Sequence, residues 1–363
     1  MRLAVLGTRG VPPEYGGFET FAAELSTRLV QRGHEVTVYC RERAGGQSAG
    51  DVWNGVRRIV RPAIPHKYFE TVSHAFVSAV DALGRDFDAV LVCNAANAFV
   101  LPLLRAGRIR TAINVDGIER RRRKWNAAGR AVYAMGEAFS VGFADTVVAD
   151  AEVIARYYRE QFSLDPVTIP YGAEFPVEED SDVLGRLGLE ARGYLLYVSR
   201  FEPENNPLEV VEAYEKLDAP PPLVMLGSGL YAPELVRELH RHAGPRIRFP
   251  GALYGKDYRT LQRNALVYIQ ATEVGGTHPA LIEAMASGGA VLAHATPENV
   301  EVGGAAVGYF DLRPEETLSS LMREWISDEP LRERFRMEAR RRASELYSWE
   351  RVVDAYEKLL MGG

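Results

Sequence analysis

The chain has 363 residues, of which 47% are hydrophobic, and a formal net charge of −6 at pH 7. This length supports two domains, each with its own core. The acidic balance argues against nonspecific nucleic-acid binding, which normally needs a basic surface facing the phosphates. Cys40 and Cys93 lack the paired spacing of a disulfide framework or zinc site, so we expect two buried, reduced thiols. No apolar run is long enough to span a membrane, and Met1 leads directly into a strand, so we expect a cytoplasmic protein.

Short apolar runs alternate with helical patterns along the first half of the chain. Strands are predicted at 2–6, 35–39, 89–92, 111–115, 144–149 and 167–169, and helices at 18–32, 68–83 and 151–161. This alternation predicts a parallel sheet with helices on both faces. The first domain is expected to cover residues 1–171.

A second series of alternating elements follows an acidic, polar segment. Residues 172–190 are predicted to be a linker. Strands are then predicted at 194–198, 223–226, 247–249, 266–270 and 290–293, with helices after Pro207, at 232–243 and near 258–263. The expected fold is α/β, with two similar domains facing each other across a cleft. Residues 172–346 form the second domain, and 347–363, which contain a helix capped by Ser348, are expected to pack back on the first.

Residues 275–288 join a glycine-rich loop to a helix that carries a single acid. Gly275 and Gly276 let the backbone approach a ligand, Pro279 suits the first helical position, and the free amides of the opening turn leave positive potential there. Glu283 lies one turn further on the same face and can accept hydrogen bonds from hydroxyls. The segment therefore fits a nucleoside diphosphate, with phosphates at the turn and ribose at the acid. The alternative is an ordinary amphipathic helix with Leu281, Ile282 and Met285 inward.

The two α/β domains, the glycine-rich loop 7–21 and the Glu283 helix together resemble the retaining glycosyltransferases of the GT-B fold, in particular family four. The loop 7–21 resembles the bacterial rhamnosyltransferase branch more closely than the family at large. In this loop Gly16 and Gly17 would let donor or acceptor lie against the start of a helix. Glu19, in the first turn of that helix, is assigned to the acceptor side. The alternative is a glycine cluster that only closes a strand–helix turn.

Residues 114–119 resemble a signature of the same branch. Asp116 aligns with a position that is commonly histidine in related enzymes, close to the transferred sugar. An Asp-Gly pair after a strand is otherwise usually a turn. Together with Asp116, the resemblance places Glu119, Arg123 and Lys124 on the acceptor side.

Residues 199–207 resemble the family segment that holds the donor diphosphate. Arg200 would neutralise the leaving group through charge-assisted hydrogen bonds. The family's usual lysine five residues later is Asn205 here, so one expected positive charge is missing from the donor site. Our hypothesis is that Arg9 supplies it from the facing domain. Leu253 lies where relatives place the nucleobase, or else in a plain strand–helix loop.

The loop of Gly275, Gly276, Thr277 and His278 faces the sugar in relatives. The family places a first glutamate eight residues before Glu283, and Gly275 stands there in this chain. Glu273 is two residues off that register. A lone histidine is more often packed than catalytic, so we assign His278 to donor binding and not to proton transfer.

The resemblance implies a retaining transfer on one face of the sugar, with no protein nucleophile and no cofactor. A phosphate oxygen of the donor helps to deprotonate the acceptor, and Asp116, Arg200 and Glu283 are the expected catalytic residues. The branch favours dTDP-rhamnose as donor and a saccharide or lipid-linked acceptor in cell-surface polysaccharide synthesis. A second class of protein remains open, a noncatalytic nucleotide-sugar-binding protein of the same fold. A third class, a sugar-nucleotide epimerase, lacks an obvious catalytic acid–base set in this sequence.

Two charge patterns carry weaker expectations. The Asp-X-Asp triplets at 86–88 and 180–182 are poorly placed for a divalent ion, one before its strand and one in the linker, so no metal is expected. The basic run 120–124 has two possible binding roles, contact with anionic lipid headgroups at the inner membrane face or with an acceptor diphosphate. The alternative is a solvated helix face.

Overall fold

The computed structural model describes residues 1–13, 16–42, 51–65, 70–122, 125–175, 181–229, 232–314 and 316–362. The chain forms two compact units. The first unit comprises Met1–Arg121, Trp125–Gly172 and Trp349–Gly363, and the second comprises Arg122–Lys124 and Ala173–Ser348.

The first unit is built on an eight-stranded sheet. Its strands are β1 (Arg2–Leu6), β2 (Glu35–Arg41), β3 (Val52–Trp53), β4 (Val56–Arg61), β5 (Ala89–Cys93), β6 (Arg110–Asn114), β7 (Thr146–Ala149) and β8 (Val167–Thr168). The strand order is β3-β4-β2-β1-β5-β6-β7-β8; β3 pairs antiparallel with β4, and the other pairs are parallel. The central strands are apolar along their length because helices cover both faces of a parallel sheet.

Among the described residues, five α-helices connect these strands. They are α1 (Gly17–Gln31), α2 (Glu70–Leu83), α3 (Leu101–Ala106), α4 (Ala127–Phe143) and α5 (Glu152–Phe162). The core of the unit lies between the sheet and α2 to α5, where buried side chains such as Leu6, Val90 and Ile113 meet Ala79, Leu104 and Ile154.

The second unit contains a six-stranded parallel sheet in the order β11-β10-β9-β12-β13-β14. Its strands are β9 (Leu195–Val198), β10 (Leu223–Leu226), β11 (Ile247–Gly251), β12 (Val267–Gln270), β13 (Val291–His294) and β14 (Gly308–Phe310). Its helices are α6 (Val183–Leu187), α7 (Pro207–Glu215), α8 (Pro233–Arg241), α9 (Gly255–Asn264), α10 (Pro279–Ala286), α11 (Pro297–Gly303), α12 (Glu316–Ser327) and α13 (Glu329–Leu346). Four of these helices begin at a proline, whose fixed φ and missing N–H suit the first helical position.

The last helix, α14 (Trp349–Met361), belongs to the first unit and packs on α1. The Phe21 and Tyr356 rings lie 5.2 Å apart between their centroids. At the surface, Arg32 pairs with Glu350 at 2.8 Å and with Glu357 at 2.7 Å. Apolar contact and paired charge thus attach the end of the chain to the first unit.

The fold predicted from the sequence, two α/β domains with parallel sheets, is confirmed. The predicted linker is wrong in one part, since α6 lies within residues 172–190. Val183 of this helix is buried, α6 packs on α9, and Arg186 forms an ion pair with Asp257. The short apolar pattern of α6 was hidden by the acidic residues that precede it. Of the helices in the described ranges, none combines the length and apolarity needed to cross a membrane.

Candidate functional site

In the first unit the predicted residues gather at one edge of the sheet. Strands β1, β5 and β6 are parallel neighbours, so the loops that follow them start at the same edge. Burial raises the pKa of the Cys93 thiol at the end of β5, and the nearby carboxylates of Glu19 and Asp116 raise it further. The structure therefore brings Glu19 and Asp116 to the same strand end, although they lie far apart in sequence.

Glu19 holds the loop that follows β1. Its Oε1 accepts a hydrogen bond from the Arg9 backbone N–H at 3.0 Å, and its side chain is buried. Gly16 is the N-cap residue of α1 and Gly17 its first residue. The Arg9 guanidinium lies 3.9 Å from Glu70 in the same unit. Ligand contacts remain predictions for four residues of this loop and helix: Arg9, Gly16, Gly17 and Glu19.

Asp116 is held by residues from three parts of the first unit. Its φ of 55° is left-handed, a conformation that aspartate tolerates better than most residues. Its N–H donates to Asn114 Oδ1 at 2.9 Å, and Asn114 Nδ2 donates in turn to the Tyr356 hydroxyl oxygen at 2.7 Å. The Tyr171 hydroxyl donates to the Asp116 carboxylate at 3.5 Å. Helix α14 thus helps to fix the predicted sugar-facing carboxylate, and Glu119 lies buried just beyond it.

The basic run does not form one solvated surface. Arg120 lies 3.3 Å from the buried Glu137, and the Arg120 and Arg121 guanidinium carbons lie 5.4 and 5.6 Å from the centre of the Tyr157 ring. Arg122 is buried, with only 7% of its surface exposed, so for this residue a lipid contact or a solvated helix face is wrong. Arg123 and Lys124 lie outside the described residues.

In the second unit, Arg122 forms part of a buried charge cluster that sequence reasoning missed. Its Nη1 lies 3.5 Å from the Glu204 carboxylate and 4.0 Å from that of Glu202. Arg200 Nη1 lies 3.9 Å from Glu202. Two guanidinium groups therefore face two buried carboxylates in the loop after β9. The one available signal was a run of four arginines in an otherwise acidic chain.

Asn205 supports this loop from inside. Its Nδ2 donates to the Arg200 carbonyl at 2.7 Å, and its own carbonyl accepts from the Tyr197 hydroxyl at 2.7 Å. The residue is buried. Donor contact by Asn205 remains a prediction. Arg200 is the nearest cation to Asn205 in the sequence, and the hydrogen bond from Asn205 fixes the backbone of Arg200.

The next loop, which precedes α10, presents His278 in a defined orientation. Asn299 Nδ2 donates to the carbonyls of Thr272 at 3.2 Å and His294 at 3.0 Å, so its Oδ1 faces His278 and accepts a hydrogen bond from Nδ1–H at 2.8 Å. Burial lowers the pKa of His278, and the charge of Arg122 lowers it further. The ring is then neutral near pH 7 and keeps Nε2 as an acceptor, which suits a binding role.

The packing of His278 explains why glycine occupies position 275. A Cβ atom at Gly275 would lie 2.4 Å from His278 Nε2, closer than real Cβ atoms approach another atom. A glutamate at the family's position would displace the imidazole. Glu273 lies nearby, where its backbone N–H donates to the Glu204 carbonyl at 2.9 Å and so joins this loop to the loop after β9.

Glu283 is positioned by two residues of α9 that sequence reasoning also missed. The Tyr258 hydroxyl donates to Glu283 Oε2 at 2.6 Å, and Gln262 Nε2 donates to the Tyr258 oxygen at 2.8 Å. Burial holds the pKa of Tyr258 well above its usual range, so the phenol stays a donor. Leu281, Ile282 and Met285 face the core, as the amphipathic alternative predicts. The same helix carries Glu283 outside its buried face, so this packing is compatible with a binding role for the acid. Leu253 lies between β11 and α9, and its contact with a base remains a prediction.

The aspartate triplets are not grouped with these loops. Asp86 lies 3.3 Å from the Arg2 guanidinium, and Asp88 accepts from the Arg2 backbone N–H at 2.7 Å, so both are at the amino end of β1. Asp180 falls outside the described residues. Within the part of the chain that the structure covers, three or more His, Cys, Asp or Glu side chains nowhere come close enough to hold a metal ion. Independence from metal remains a prediction.

Comparison with known proteins assigns each half of the chain to a glycosyltransferase domain. Residues 15–174 match the domain family described as Glycosyltransferase Family 4, and residues 186–342 match Glycosyl transferases group 1. The chain is a glycosyltransferase of the GT-B type. No curated protein matches its sequence.

Solved structures share the fold over the whole chain. Sucrose-phosphate synthase from Thermosynechococcus elongatus superposes with a TM-score of 0.82 at 19% identity, covering 100% of both chains. HepE from Anabaena, solved in complex with UDP-glucose, gives 0.81 at 14% identity, covering 100% of this chain and 99% of its own. An α,α-trehalose-phosphate synthase (UDP-forming) from Burkholderia vietnamiensis gives 0.74 at 12% identity, covering 100% of both. At such low identities the likeness shows the fold alone.

The buried charge cluster leads to a prediction about stability. Arg122→Ala is expected to lower the free energy of unfolding by about 3 kcal/mol or more, because it leaves the Glu204 carboxylate buried without its cation. Urea denaturation measures the change. The double variant Arg122→Ala with Glu204→Gln is expected to recover part of the loss. Equal stability of Arg122→Ala and the unaltered protein would show that the cluster contributes nothing.

Proposed function

We propose that the protein is a retaining, metal-independent glycosyltransferase that moves a sugar from a nucleoside diphosphate to a saccharide or lipid-linked acceptor. The observation that carries this proposal is the Glu283 carboxylate, held by Tyr258 and Gln262 one turn into α10, directly after a glycine-containing loop. In this assignment residues 172–346 bind the donor, and residues 1–171 with 347–363 receive the acceptor.

The donor would be bound by groups that match its charges. Glu283 accepts hydrogen bonds from the ribose hydroxyls, and Leu253 contacts the base. The backbone at Gly276 and Thr277 and the start of α10 face the diphosphate, as does Arg200, while Nε2 of His278 accepts a hydrogen bond from a sugar hydroxyl. Besides Arg9, Arg122 is a second source for the cation missing at Asn205, because its guanidinium lies beside the Arg200 loop and close enough to His278 to lower the pKa of that imidazole.

In the reaction, the bond between the anomeric carbon and the diphosphate oxygen breaks while the acceptor oxygen forms a new bond on the same face. The acceptor proton passes to a phosphate oxygen of the leaving nucleoside diphosphate, so no protein nucleophile is needed. The protein supplies charge stabilisation for the departing diphosphate and a fixed geometry for the two reactants. Arg200 carries the first role, and Asp116, fixed by Asn114 and Tyr171, orients the sugar.

Rhamnose is the favoured sugar and dTDP the favoured nucleotide. Their support is the resemblance of residues 7–21 and 114–119 to the rhamnosyltransferase branch. The structural relatives named above include one bound to UDP-glucose, so UDP is the competing nucleotide.

A noncatalytic nucleotide-sugar-binding protein is the second candidate. It is favoured by Asn205 and Gly275, which replace two charged groups of the family's donor site. The structure accounts for each of these residues locally. Asn205 donates a hydrogen bond to the Arg200 carbonyl, and Gly275 leaves room for the His278 ring. Neither role requires loss of turnover.

A panel of nucleoside diphosphates, tested by thermal unfolding, separates the nucleotides. We expect dTDP to raise the unfolding temperature most, because the nucleotide that binds most tightly stabilises the native state most. A ligand at 100 times its Kd adds about 2.7 kcal/mol to the free energy of unfolding. The rise should be the same with EDTA as with magnesium. A shift with UDP alone would reassign the base, a shift that needs magnesium would contradict metal independence, and no shift with any nucleotide would contradict donor binding.

A further inference from the structure

Helix α4 exposes an apolar stripe on its outer side, although Phe139, Val141 and Phe143 pack on the core. Its buried residues are Gly136, Glu137 and Ser140. Its solvent-facing stripe contains Val132, 39% exposed, and Met135, 48% exposed, and the rest of the stripe consists of small residues. These are Ala128, Ala131, Ala138 and Gly142. A surface helix normally turns polar residues to water, so this exposed apolar stripe is a candidate contact surface.

The same surface continues onto α2. Phe76, Val80 and Leu83 lie at helical spacing on its outer side, with 56%, 49% and 37% of their surfaces exposed. Helix α3 connects the two faces. A Cβ at Gly107, the C-cap residue of α3, would lie 2.2 Å from Leu83, and Arg105 of α3 donates to the Gly142 carbonyl of α4 at 3.0 Å. The outer sides of α2, α3 and α4, all in the first unit, therefore form one surface, which we call the α2–α4 face.

The exposed charges within α2, α3 and α4 themselves are cationic. Arg105 and Arg130 are exposed on α3 and α4. The segments next to these helices expose charges of both signs, Arg108 and Arg121 together with Asp86 and Asp145. None of the exposed residues that the structure describes in α2, α3 and α4 carries a carboxylate. In a chain with a net charge of −6, the lack of exposed carboxylates among the described residues of these three helices is a local property of the face.

We infer that the α2–α4 face binds an anionic phospholipid membrane surface. Apolar side chains that enter the headgroup region gain from leaving water, and each nearby arginine gains from the negative surface potential. A second copy of the chain fits less well. In a twofold dimer the same patch meets itself, which would bring Arg105 and Arg130 together with their own copies, with no exposed carboxylate on the described residues of these helices to pair with them.

Cosedimentation with vesicles tests this inference without donor or acceptor, so its outcome is independent of the proposed function. The protein should bind vesicles of equal parts phosphatidylglycerol and phosphatidylcholine, bind weakly to phosphatidylcholine alone, and dissociate as NaCl is raised. Val132→Glu with Met135→Glu should weaken binding at least about tenfold, because two inserted apolar groups become anions facing an anionic surface.

The matched control is Met337→Glu with Leu346→Glu on α13, where the side chains are 67% and 40% exposed. This pair adds the same charge in the second unit and should bind vesicles like the unaltered protein. Phe76→Glu with Val80→Glu, on α2, repeats the test if the α4 pair lowers the unfolding temperature. Equal binding by the face and control variants, or no preference for anionic vesicles, would overturn the inference. So would sedimentation equilibrium showing a dimer that the α4 pair dissociates, in the absence of vesicle binding.

Discussion

Glu283→Gln is expected to lower the affinity for the nucleotide donor by about 30- to 150-fold. Hydrogen bonds to a charged group contribute about 2–3 kcal/mol, and glutamine offers one weaker acceptor oxygen in place of a carboxylate. The fold should survive, because the Tyr258 hydroxyl can donate to the glutamine oxygen as it does to Glu283 Oε2. Isothermal titration with the nucleoside diphosphate and with the free base measures the loss, which should appear for the nucleotide and not for the base.

Glu316→Gln serves as the matched control, since Glu316 is an exposed glutamate in the first turn of α12. It removes the same charge and should leave affinity unchanged. If Glu283→Gln binds the nucleotide as tightly as this control, Glu283 does not contact the ribose. Helix α10 is then an ordinary amphipathic helix with Glu283 on its polar face.

Arg200→Ala is expected to lower kcat by about 100- to 1,000-fold. A preorganised cation at the point where negative charge develops on the leaving diphosphate acts more strongly in the transition state than in the ground state. Stability should change little, because the Arg200 side chain is 40% exposed and its nearest carboxylate, Glu202, also lies 4.0 Å from Arg122. Initial rates over a range of donor concentrations separate kcat from KM.

Arg241→Ala on α8 is the control for loss of one arginine, since that side chain is 71% exposed and pairs with a neighbour on its own helix. It should retain full activity. A rise in KM without a fall in kcat for Arg200→Ala would mean that this arginine binds ground state and transition state equally, which contradicts its assigned role.

The fold could be predicted because the strands and most connecting helices have clear periods. β1 is an apolar run of 3–6 after a single polar residue, and α1 was predicted at 18–32 against Gly17–Gln31 observed. Helices α4 and α13 were missed for the same physical reason. Their buried faces contain polar residues, Glu137 and Ser140 in α4 and Arg332 and Arg336 in α13, so the inward apolar stripe that identifies a surface helix is interrupted in both.

The site could be predicted only as far as local motifs extend. The loops around Glu19, Asp116, Arg200 and Glu283 each lie in a short segment that resembles a known family. Their supporting partners lie elsewhere in the chain. Tyr258 is 25 residues from Glu283, and Arg122 is 82 residues from Glu204. Such pairings follow from packing and leave no periodic trace in the sequence.

Transfer itself is the central claim. The most direct measurement incubates the protein with the nucleoside diphosphate sugar whose nucleotide gives the largest thermal shift, together with a saccharide acceptor panel, and follows nucleotide release and the anomeric configuration of the product by NMR. The expected result is nucleotide release that depends on the acceptor, with the configuration of the donor retained in the product. Tight nucleotide binding with no turnover on any acceptor would contradict the account and favour a noncatalytic binding protein.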